Sequence, residues 1–205
     1  MKNVFITGGF DDLRSGHVRF LEEAARLGRV HLRLWPDAVF QTLENRPPKF
    51  PEDERLYLLR SLRYVEQVEL AHPDTTRDKP SPPPDAPAIW VSDEAADSPA
   101  RSAFCAAHGL EHHVIPTART EGFPPPPPDP AFSGRERVLV TGCFDWFHSG
   151  HVRFFEEVSE LGELFVVVGH DANIRLLKGE GHPLFSQDER RYMVGAIRFV
   201  RQALV

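Results

Sequence analysis

The sequence predicts an α/β fold with two Rossmann-like repeats, each a doubly wound parallel sheet, of which the second is incomplete. Strand-like apolar runs alternate with helical stretches along the chain. Residues 8–38 also align without gaps on residues 142–172, with 15 identities in 31 positions. Strands that alternate with helices in this way imply right-handed crossovers and a parallel sheet with helices on both faces.

The first repeat is predicted to hold five strands and four helices. Strands are expected near 2–7, 29–35, 66–71, 88–92 and 112–116, and helices near 16–27, 37–44, 51–64 and 98–109. The proline-rich residues 80–87 cannot continue a helix or a central strand, so they are expected to form a loop. Such sheets bind ligands beyond the carboxyl ends of their strands, where the strand order reverses.

The second repeat is predicted to stop early. Its strands are expected near 136–141, 163–169 and from 202, and its helices just after 150, from 171 and over 186–199. The partner strand for the far side of its first strand would come from the missing part. Val138, Leu139 and Val140 are therefore expected on an exposed edge. Either the chain is a truncated version of a longer one, which we favour, or something else supplies the missing strands.

A proline run separates the two repeats. Phe123 is followed by five prolines at 124–128 and then by Asp129 and Pro130. A polyproline segment of this kind forms a stiff spacer. We therefore predict one domain at 1–123, a linker at 124–134 and a second domain at 135–205.

Composition narrows the class of protein. The chain has 205 residues, of which 41% are hydrophobic, and a formal charge of −6, which argues against a nucleic-acid partner. The sequence contains no apolar run long enough to span a membrane, and its start is too short for a signal peptide. Cys105 and Cys143 give no disulfide framework. A cytoplasmic location is expected by default.

The ten residues 142–151, Gly-Cys-Phe-Asp-Trp-Phe-His-Ser-Gly-His, join a predicted strand to a predicted helix. The first N–H groups of a helix have no intrahelical partner, and the helix dipole attracts anions to that end. Gly150 would let a phosphate approach the backbone, and His148 and His151 are three residues apart and can face one ligand. The stretch therefore predicts a site for phosphate chemistry.

This pattern, G-x-F-D-x-x-H-x-G-H, resembles the signature of the cytidylyltransferase family within the nucleotidyltransferase superfamily. Three later segments resemble the next landmarks of that family, in the same order: 177–179, 185–190 and 196–200. The internal repeat makes the chain similar to members with tandem copies, one of them degenerate. The resemblance implies attack of a substrate phosphate on the α-phosphate of a nucleoside triphosphate, with release of pyrophosphate.

The resemblance also assigns roles to residues. The expected catalytic residues are His148, His151, Lys178 and Arg198. The expected nucleotide-binding residues are Gly142, Phe144, Asp145, Gly150, Asp171 and Arg190. Mg²⁺ is expected as the counterion of the triphosphate, and no metal site is expected among the protein's own side chains. Dimers are common in the family, so a homodimer is a possible assembly.

Several of these residues can instead have a purely structural role. Lys178 can be a solvated charge, and Arg198 can pair with Asp188 or Glu189 on a shared helix. Asp171 can be a helix N-cap, and Arg190 can order the local loop. These alternatives stay open at the level of sequence.

The first repeat departs from the family pattern. Arg14 stands where the second repeat has His148, while Asp11, His17 and Arg63 match their counterparts. An arginine keeps positive charge but not the shape or protonation behaviour of imidazole. Near the end of this repeat, residues 119–122 resemble the start of the family's R-T-E-G-I-S-T-T segment, but Phe-Pro follows. The first repeat is therefore interpreted as a degenerate, largely structural domain.

Three functions remain. The first is a cytidylyltransferase that acts on a phosphorylated alcohol or sugar, and the second is an adenylyltransferase of the same superfamily, since the motifs do not fix the base. The third is a non-catalytic nucleotide-binding or assembly module.

Overall fold

The computed structural model describes residues 2–128, 131 and 133–205. The chain divides into two compact units. Unit 1 comprises residues 1–60 and 64–121, and unit 2 comprises residues 61–63 and 122–205. Of the predicted linker at 124–134, Asp129, Pro130 and Phe132 lie outside the described residues.

Unit 1 is built on a parallel sheet of five strands. The strands are β1 (Lys2–Gly8), β2 (Gly28–Leu34), β3 (Gln67–Leu70), β4 (Ala88–Asp93) and β5 (Glu111–Ile115). Their order across the sheet is β3-β2-β1-β4-β5. The order reverses between β1 and β4, where Val4 lies opposite Ile89 on one side and Val30 on the other. This is the doubly wound arrangement that the sequence predicts.

The helices of unit 1 are α1 (Ser15–Ala25), α2 (Asp37–Glu44), α3 (Glu52–Arg60) and α4 (Pro99–Ala107). Helix α1 follows β1, α2 and α3 both follow β2, and α4 follows β4. In α1 and α2 the apolar residues recur at helical spacing, and Val18, Leu21 and Phe40 among them are buried. The centre of the sheet is buried, with Val4 and Leu34 fully inaccessible to solvent. The proline-rich residues 80–87 form a loop before β4, as predicted.

Unit 2 is built on a smaller parallel sheet of three strands. The strands are β6 (Arg137–Gly142), β7 (Glu163–Val168) and β8 (Val200–Leu204), in that order across the sheet. The helices are α5 (Ser149–Ser159), α6 (Asp171–Lys178) and α7 (Gln187–Gly195). The predicted α/β class, with a second and smaller parallel sheet, is confirmed.

The exposed edge predicted for the second repeat is present. In the described part of unit 2, β6 pairs with β7 and has no strand on its other side. Leu139, at its centre, is 64% exposed, whereas Phe5, the aligned residue of β1, is 4% exposed. Phe5 is buried because it packs with Trp90 of β4 and Cys105 of α4, and the described part of unit 2 has no counterpart of these two elements.

Two helices end four residues before their predicted ends. The helix predicted over 51–64 ends at Arg60, and the one predicted over 186–199 ends at Gly195. After Gly195 the chain leaves the helix, because Ile197 forms an antiparallel bridge with Leu62, a residue of the 61–63 segment of unit 2. Periodicity cannot show this end, since the apolar pattern continues past it.

The first prolines of the predicted linker pack on unit 2. Arg191 Nη2 donates to the Pro124 carbonyl at 2.8 Å, and the ring of Phe123 lies 5.4 Å from that of Tyr192. Phe123 and Pro124 are therefore in contact with α7. Within the described residues, no helix has the length and apolar character needed to cross a membrane.

Candidate functional site

The candidate site of unit 2 lies where β6 turns into α5, at the carboxyl end of the strand. The turn requires Phe144 to adopt a left-handed backbone conformation with φ of 52°. The Phe144 ring then folds back over Gly142, where a Cβ atom would lie 2.6 Å from the ring. Gly142 is thus needed for the close approach of an aromatic side chain, which fixes the path of the loop.

His148 is the N-cap of α5. Its Nδ1 atom accepts a hydrogen bond from the Gly150 amide at 3.1 Å, and its carbonyl accepts one from the His151 amide at 3.0 Å. Because Nδ1 is an acceptor, the neutral ring carries its proton on Nε2. A Cβ atom on Gly150 would lie 2.9 Å from the His148 ring. The space above Gly150 therefore holds the imidazole, where the sequence suggested room for a phosphate.

His151 lies one helical turn further and stacks with its neighbours. Its ring centroid is 4.0 Å from that of His148, 5.6 Å from that of Phe147 and 5.4 Å from that of Phe144. Burial, followed by the nearby His148, lowers the pKa of His151 to about 4. Nδ1 of His151 is buried and has no hydrogen-bond partner among the described residues. The ring is therefore neutral at pH 7, and the structure brings both predicted imidazoles together.

Asp145 orders the loop that faces this turn. Its carboxylate accepts hydrogen bonds from the amides of Leu184, at 2.8 Å, and Phe185, at 3.0 Å. Burial by itself would raise the pKa of Asp145. Those two amides, His182 and the charge of Arg190 outweigh burial and hold the pKa below its ordinary value. Asp145 is a loop-ordering residue in this structure, with its oxygens turned to backbone amides.

Arg190 is 1% exposed and links three segments of unit 2. Its guanidinium donates to the carbonyls of Cys143 at 2.6 Å and Gly169 at 2.8 Å, and to Asp171 Oδ1 at 2.6 Å. Its Nε donates to the Phe185 carbonyl at 2.9 Å. These bonds occupy the guanidinium inside the protein. These hydrogen bonds favour a loop-ordering role for Arg190 over contact with a nucleotide. The Arg190 guanidinium also holds the Asp171 carboxylate.

The remaining two predicted catalytic residues lie apart from this arrangement. Lys178 is exposed at the last residue of α6 and has no hydrogen bond or ion pair within the described residues. Arg198 lies in the turn after α7, not on the helix with Asp188 and Glu189, and its Nη2 donates to the Leu62 carbonyl at 2.8 Å. The rings of His148 and His151 are thus in contact with each other, whereas Lys178 and Arg198 contact neither ring.

The corresponding turn of unit 1 keeps the supports but not the imidazole pair. Asp11 accepts hydrogen bonds from the amides of Lys49 at 2.9 Å and Phe50 at 3.2 Å, as Asp145 does in unit 2. Arg14 forms an ion pair with Asp12 at 2.7 Å. His17 Nδ1 accepts a hydrogen bond from the Arg14 amide at 3.1 Å.

A second arginine repeats the Arg190 arrangement. Arg55 is 1% exposed and donates to the carbonyls of Gly9, Trp35 and Phe50 and to Asp37 Oδ1. Arg63 has a different setting, because it belongs to the segment grouped with unit 2, where its Nη2 donates to the Ile197 carbonyl at 2.9 Å.

Two contributing residues were not singled out from the sequence for these roles. Gln187 Oε1 accepts the Asp171 amide at 3.0 Å and fixes the start of α6. Phe147 stacks on His151 with an interplanar angle of 10°. Aromatic pairs in the motif indicate packing, but which ring supports which imidazole depends on the turn. In the described part of the chain, no three His, Cys, Asp or Glu side chains are arranged to hold a metal ion.

Comparison with known proteins gives a partial match. Residues 139–205 match the family described as cytidylyltransferase-like. The bifunctional protein HldE of Campylobacter concisus is 40% identical over 74 residues, which are 35% of this chain and 16% of that protein. The HldE protein of Geobacter sulfurreducens is 38% identical over 73 residues, 35% of this chain and 15% of that protein. The matched part thus spans about a sixth of these curated relatives.

A solved structure also aligns with the chain. It is a lipopolysaccharide core biosynthesis protein from Thermoplasma volcanium GSS1, with a TM-score of 0.44 and 24% sequence identity. The alignment covers 57% of this chain and 95% of that chain. The resemblance to cytidylyltransferase-like nucleotidyltransferases is thus confirmed by the family match and the curated relatives, and the family match falls on residues 139–205 of unit 2.

Proposed function

We propose that the cytidylyltransferase-like segment of unit 2 contributes to a nucleotidyltransferase site that transfers a nucleoside monophosphate from CTP or ATP. The acceptor would be a phosphorylated alcohol or sugar, and pyrophosphate would leave. The observation that carries the proposal is the imidazole pair, with ring centroids 4.0 Å apart at a strand-to-helix turn. Support also comes from the family match over 139–205.

The two imidazoles suit the charge that this reaction develops. An oxygen of the acceptor phosphate attacks the α-phosphorus, and the bond to the pyrophosphate oxygen breaks. Negative charge grows on the leaving group and spreads over the non-bridging oxygens of the α-phosphate. Because Nδ1 of His148 accepts the Gly150 amide, the ring presents an N–H group at Nε2 that can donate to these oxygens. Fixed donors of this kind stabilise a transition state because they need no reorganisation.

The neutral state of His151 has a consequence for binding. A ring with a pKa of about 4 adds no positive charge at pH 7. Cations from elsewhere must therefore balance the triphosphate, and Mg²⁺ bound to the triphosphate as part of the substrate is the expected source. Lys178 is available as a second source, since it is exposed and has no ion pair within the described residues.

Measurement of pyrophosphate release tests the proposal. CTP and ATP are compared across a panel of phospho-alcohols and sugar phosphates. We expect His148→Ala and His151→Ala each to lower turnover by about 10²- to 10³-fold, the usual effect of removing one fixed donor. His17→Ala in unit 1 is the matched control and is expected to have little effect. Full activity of the His148→Ala protein would refute the assignment.

A non-catalytic nucleotide-binding module is the second candidate. It is favoured by one observation: the two predicted catalytic cations, Lys178 and Arg198, lie outside the contacts of the imidazole pair. Triphosphate binding without pyrophosphate release for any acceptor would support this candidate over the first. Release of pyrophosphate would exclude it.

A further inference from the structure

Unit 1 contains a cluster of nucleophilic and titratable side chains that the proposed transferase does not use. The cluster connects strands β4 and β5 with the beginning of helix α4. Its members are Ser92, Asp97, Ser102 and His112. All four residues belong to the same compact unit, so their geometry is set within unit 1.

His112 points from the sheet toward α4. It lies opposite Trp90 in the register of β4 and β5, and residues that lie opposite each other in a sheet share a face. Trp90 packs with Cys105 of α4, so this is the face that α4 covers. The His112 side chain is 12% exposed, whereas Ser102 of α4 is exposed. The imidazole therefore lies beneath the helix, and the serine that it contacts lies at the surface.

The two ring nitrogens of His112 have different partners. Ser102 Oγ lies 3.1 Å from Nδ1, and Ser92 Oγ lies 3.2 Å from Nε2. Asp97 Oδ1 is 3.8 Å from Nε2. A carboxylate at this distance favours a proton on the nitrogen that it faces, so the neutral ring carries its proton on Nε2 and donates it to Ser92 Oγ. Nδ1 is then the acceptor, and the Ser102 hydroxyl donates to it.

His112 is a free base at neutral pH. Burial lowers its pKa, and the positive charge of Arg101 and the nearby His113 add to burial, which together outweigh the opposing effect of Asp97. The lone pair on Nδ1 is therefore available to take a proton from Ser102. An exposed hydroxyl, a base within hydrogen-bond reach and a third group that orients the base are the features of an activated nucleophile.

We propose that Ser102 is a nucleophile that accepts an acyl group from an activated carboxylic ester, with His112 as its general base and Asp97 as a positioning residue. The Ser102 oxygen attacks the carbonyl carbon of the ester while its proton passes to Nδ1 of His112. The bond from that carbon to the leaving oxygen then breaks, and His112 returns the proton to this oxygen. The products are an ester of Ser102 and an alcohol, and no other reactant is consumed.

Acetylation by p-nitrophenyl acetate tests the proposal in the full chain. Absorbance follows the release of p-nitrophenolate, and peptide mass mapping shows which side chain carries the acetyl group. We expect Ser102 to be acetylated at least about 100-fold faster than Ser159, because a positioned base contributes about 10²- to 10⁴-fold. Ser159 is the matched serine, since it lies on helix α5 and its hydroxyl donates to the Glu156 carbonyl at 2.6 Å.

Three variants separate a base from a structural contact. His112→Gln keeps a polar side chain that cannot take up a proton, so acetylation of Ser102 should fall at least about 100-fold. His113→Gln is the matched control and should have little effect, because the next residue of β5 points to the opposite face. Asp97→Asn should slow acetylation about tenfold and should shift the His112 proton from Nε2 toward Nδ1 in nitrogen NMR spectra. Circular dichroism checks that each variant is folded.

Any of three results would overturn the proposal. The first is acetylation of Ser102 at the same rate as Ser159. The second is an unchanged rate at Ser102 in the folded His112→Gln protein. The third is an NMR spectrum of the wild type that places the His112 proton on Nδ1, since the ring would then donate to Ser102 and could not take its proton. No nucleotide is present in these measurements, so their outcome is separate from that for the proposed transferase.

Discussion

The most direct test of the architecture is the replacement of Arg190 by methionine. The side chain is almost completely buried and donates hydrogen bonds to three carbonyls and to Asp171. Methionine keeps much of the volume but leaves these acceptors without a donor. Hydrogen bonds from a charged group are worth about 1.5–3 kcal/mol each, and breaking a buried ion pair costs about 3–5 kcal/mol. Because these terms are not additive, we expect a loss of about 4 kcal/mol in the free energy of unfolding.

Hydrogen exchange read by mass spectrometry shows where this loss falls. Arg190→Met should raise exchange in peptides that cover residues 143–148 and 169–171, with urea denaturation giving the free energy. Arg55→Met is the matched control, because Arg55 makes the same kind of bonds to Gly9, Trp35, Phe50 and Asp37. Its effect should fall on unit 1 peptides.

One result would refute this reasoning. If Arg190→Met unfolds with a free energy within about 1 kcal/mol of the wild type and yet loses affinity for a triphosphate, the guanidinium contacts nucleotide and does not hold the loop. A loss of stability confined to unit 2, with a parallel loss in unit 1 for Arg55→Met, supports the loop-ordering role.

Three further predictions follow from the site. His151 is protonated near pH 6.5 in the unfolded chain but only near pH 4 in the folded chain. The free energy of unfolding should therefore fall by about 2 kcal/mol as the pH drops between these values, after allowance for the partial exposure of the ring. In urea titrations, His151→Asn should remove this pH dependence. Asp145→Asn should lower the free energy of unfolding by about 2 kcal/mol and raise hydrogen exchange at residues 182–186, because the Leu184 and Phe185 amides lose a charged acceptor. Asp11→Asn is the matched change in unit 1. Equal exchange in the wild type and in Asp145→Asn would contradict the assignment. Gly150→Ala should displace the His148 ring, because the new Cβ atom would lie 2.9 Å from that ring. Turnover should then fall about tenfold or more. An unchanged kcat together with an unchanged His148 NMR signal would disprove the contact.

The order of elements could be predicted from the sequence because it depends on local patterns. Apolar runs and helical periodicity place β1 and β6 within a residue or so of their observed bounds. The exposed edge at Leu139 also follows from the sequence, since the repeat shows which strand lacks a partner. The ends of α3 and α7 do not follow, because they depend on a bridge between residues distant in the chain.

In the candidate site, too, some features could be predicted from the sequence and others depend on the fold. The spacing of His148 and His151 on one helix turn brings their rings together, so the motif alone is enough to predict the pair. Arg190 and Lys178 have similar charge in the sequence, yet one is buried among carbonyls and the other lies exposed. That difference comes from the neighbours that the fold supplies.

The sequence by itself therefore determined the α/β class, the strand-to-helix turn and the imidazole pair, because each is a property of neighbouring residues. Only the tertiary structure decided that Arg190 is held inside unit 2 and that unit 1 keeps a cavity where Arg14 replaces an imidazole. Hydrogen-bond partners and enclosed space depend on segments that lie far apart along the chain, and these meet only once the sheet has formed.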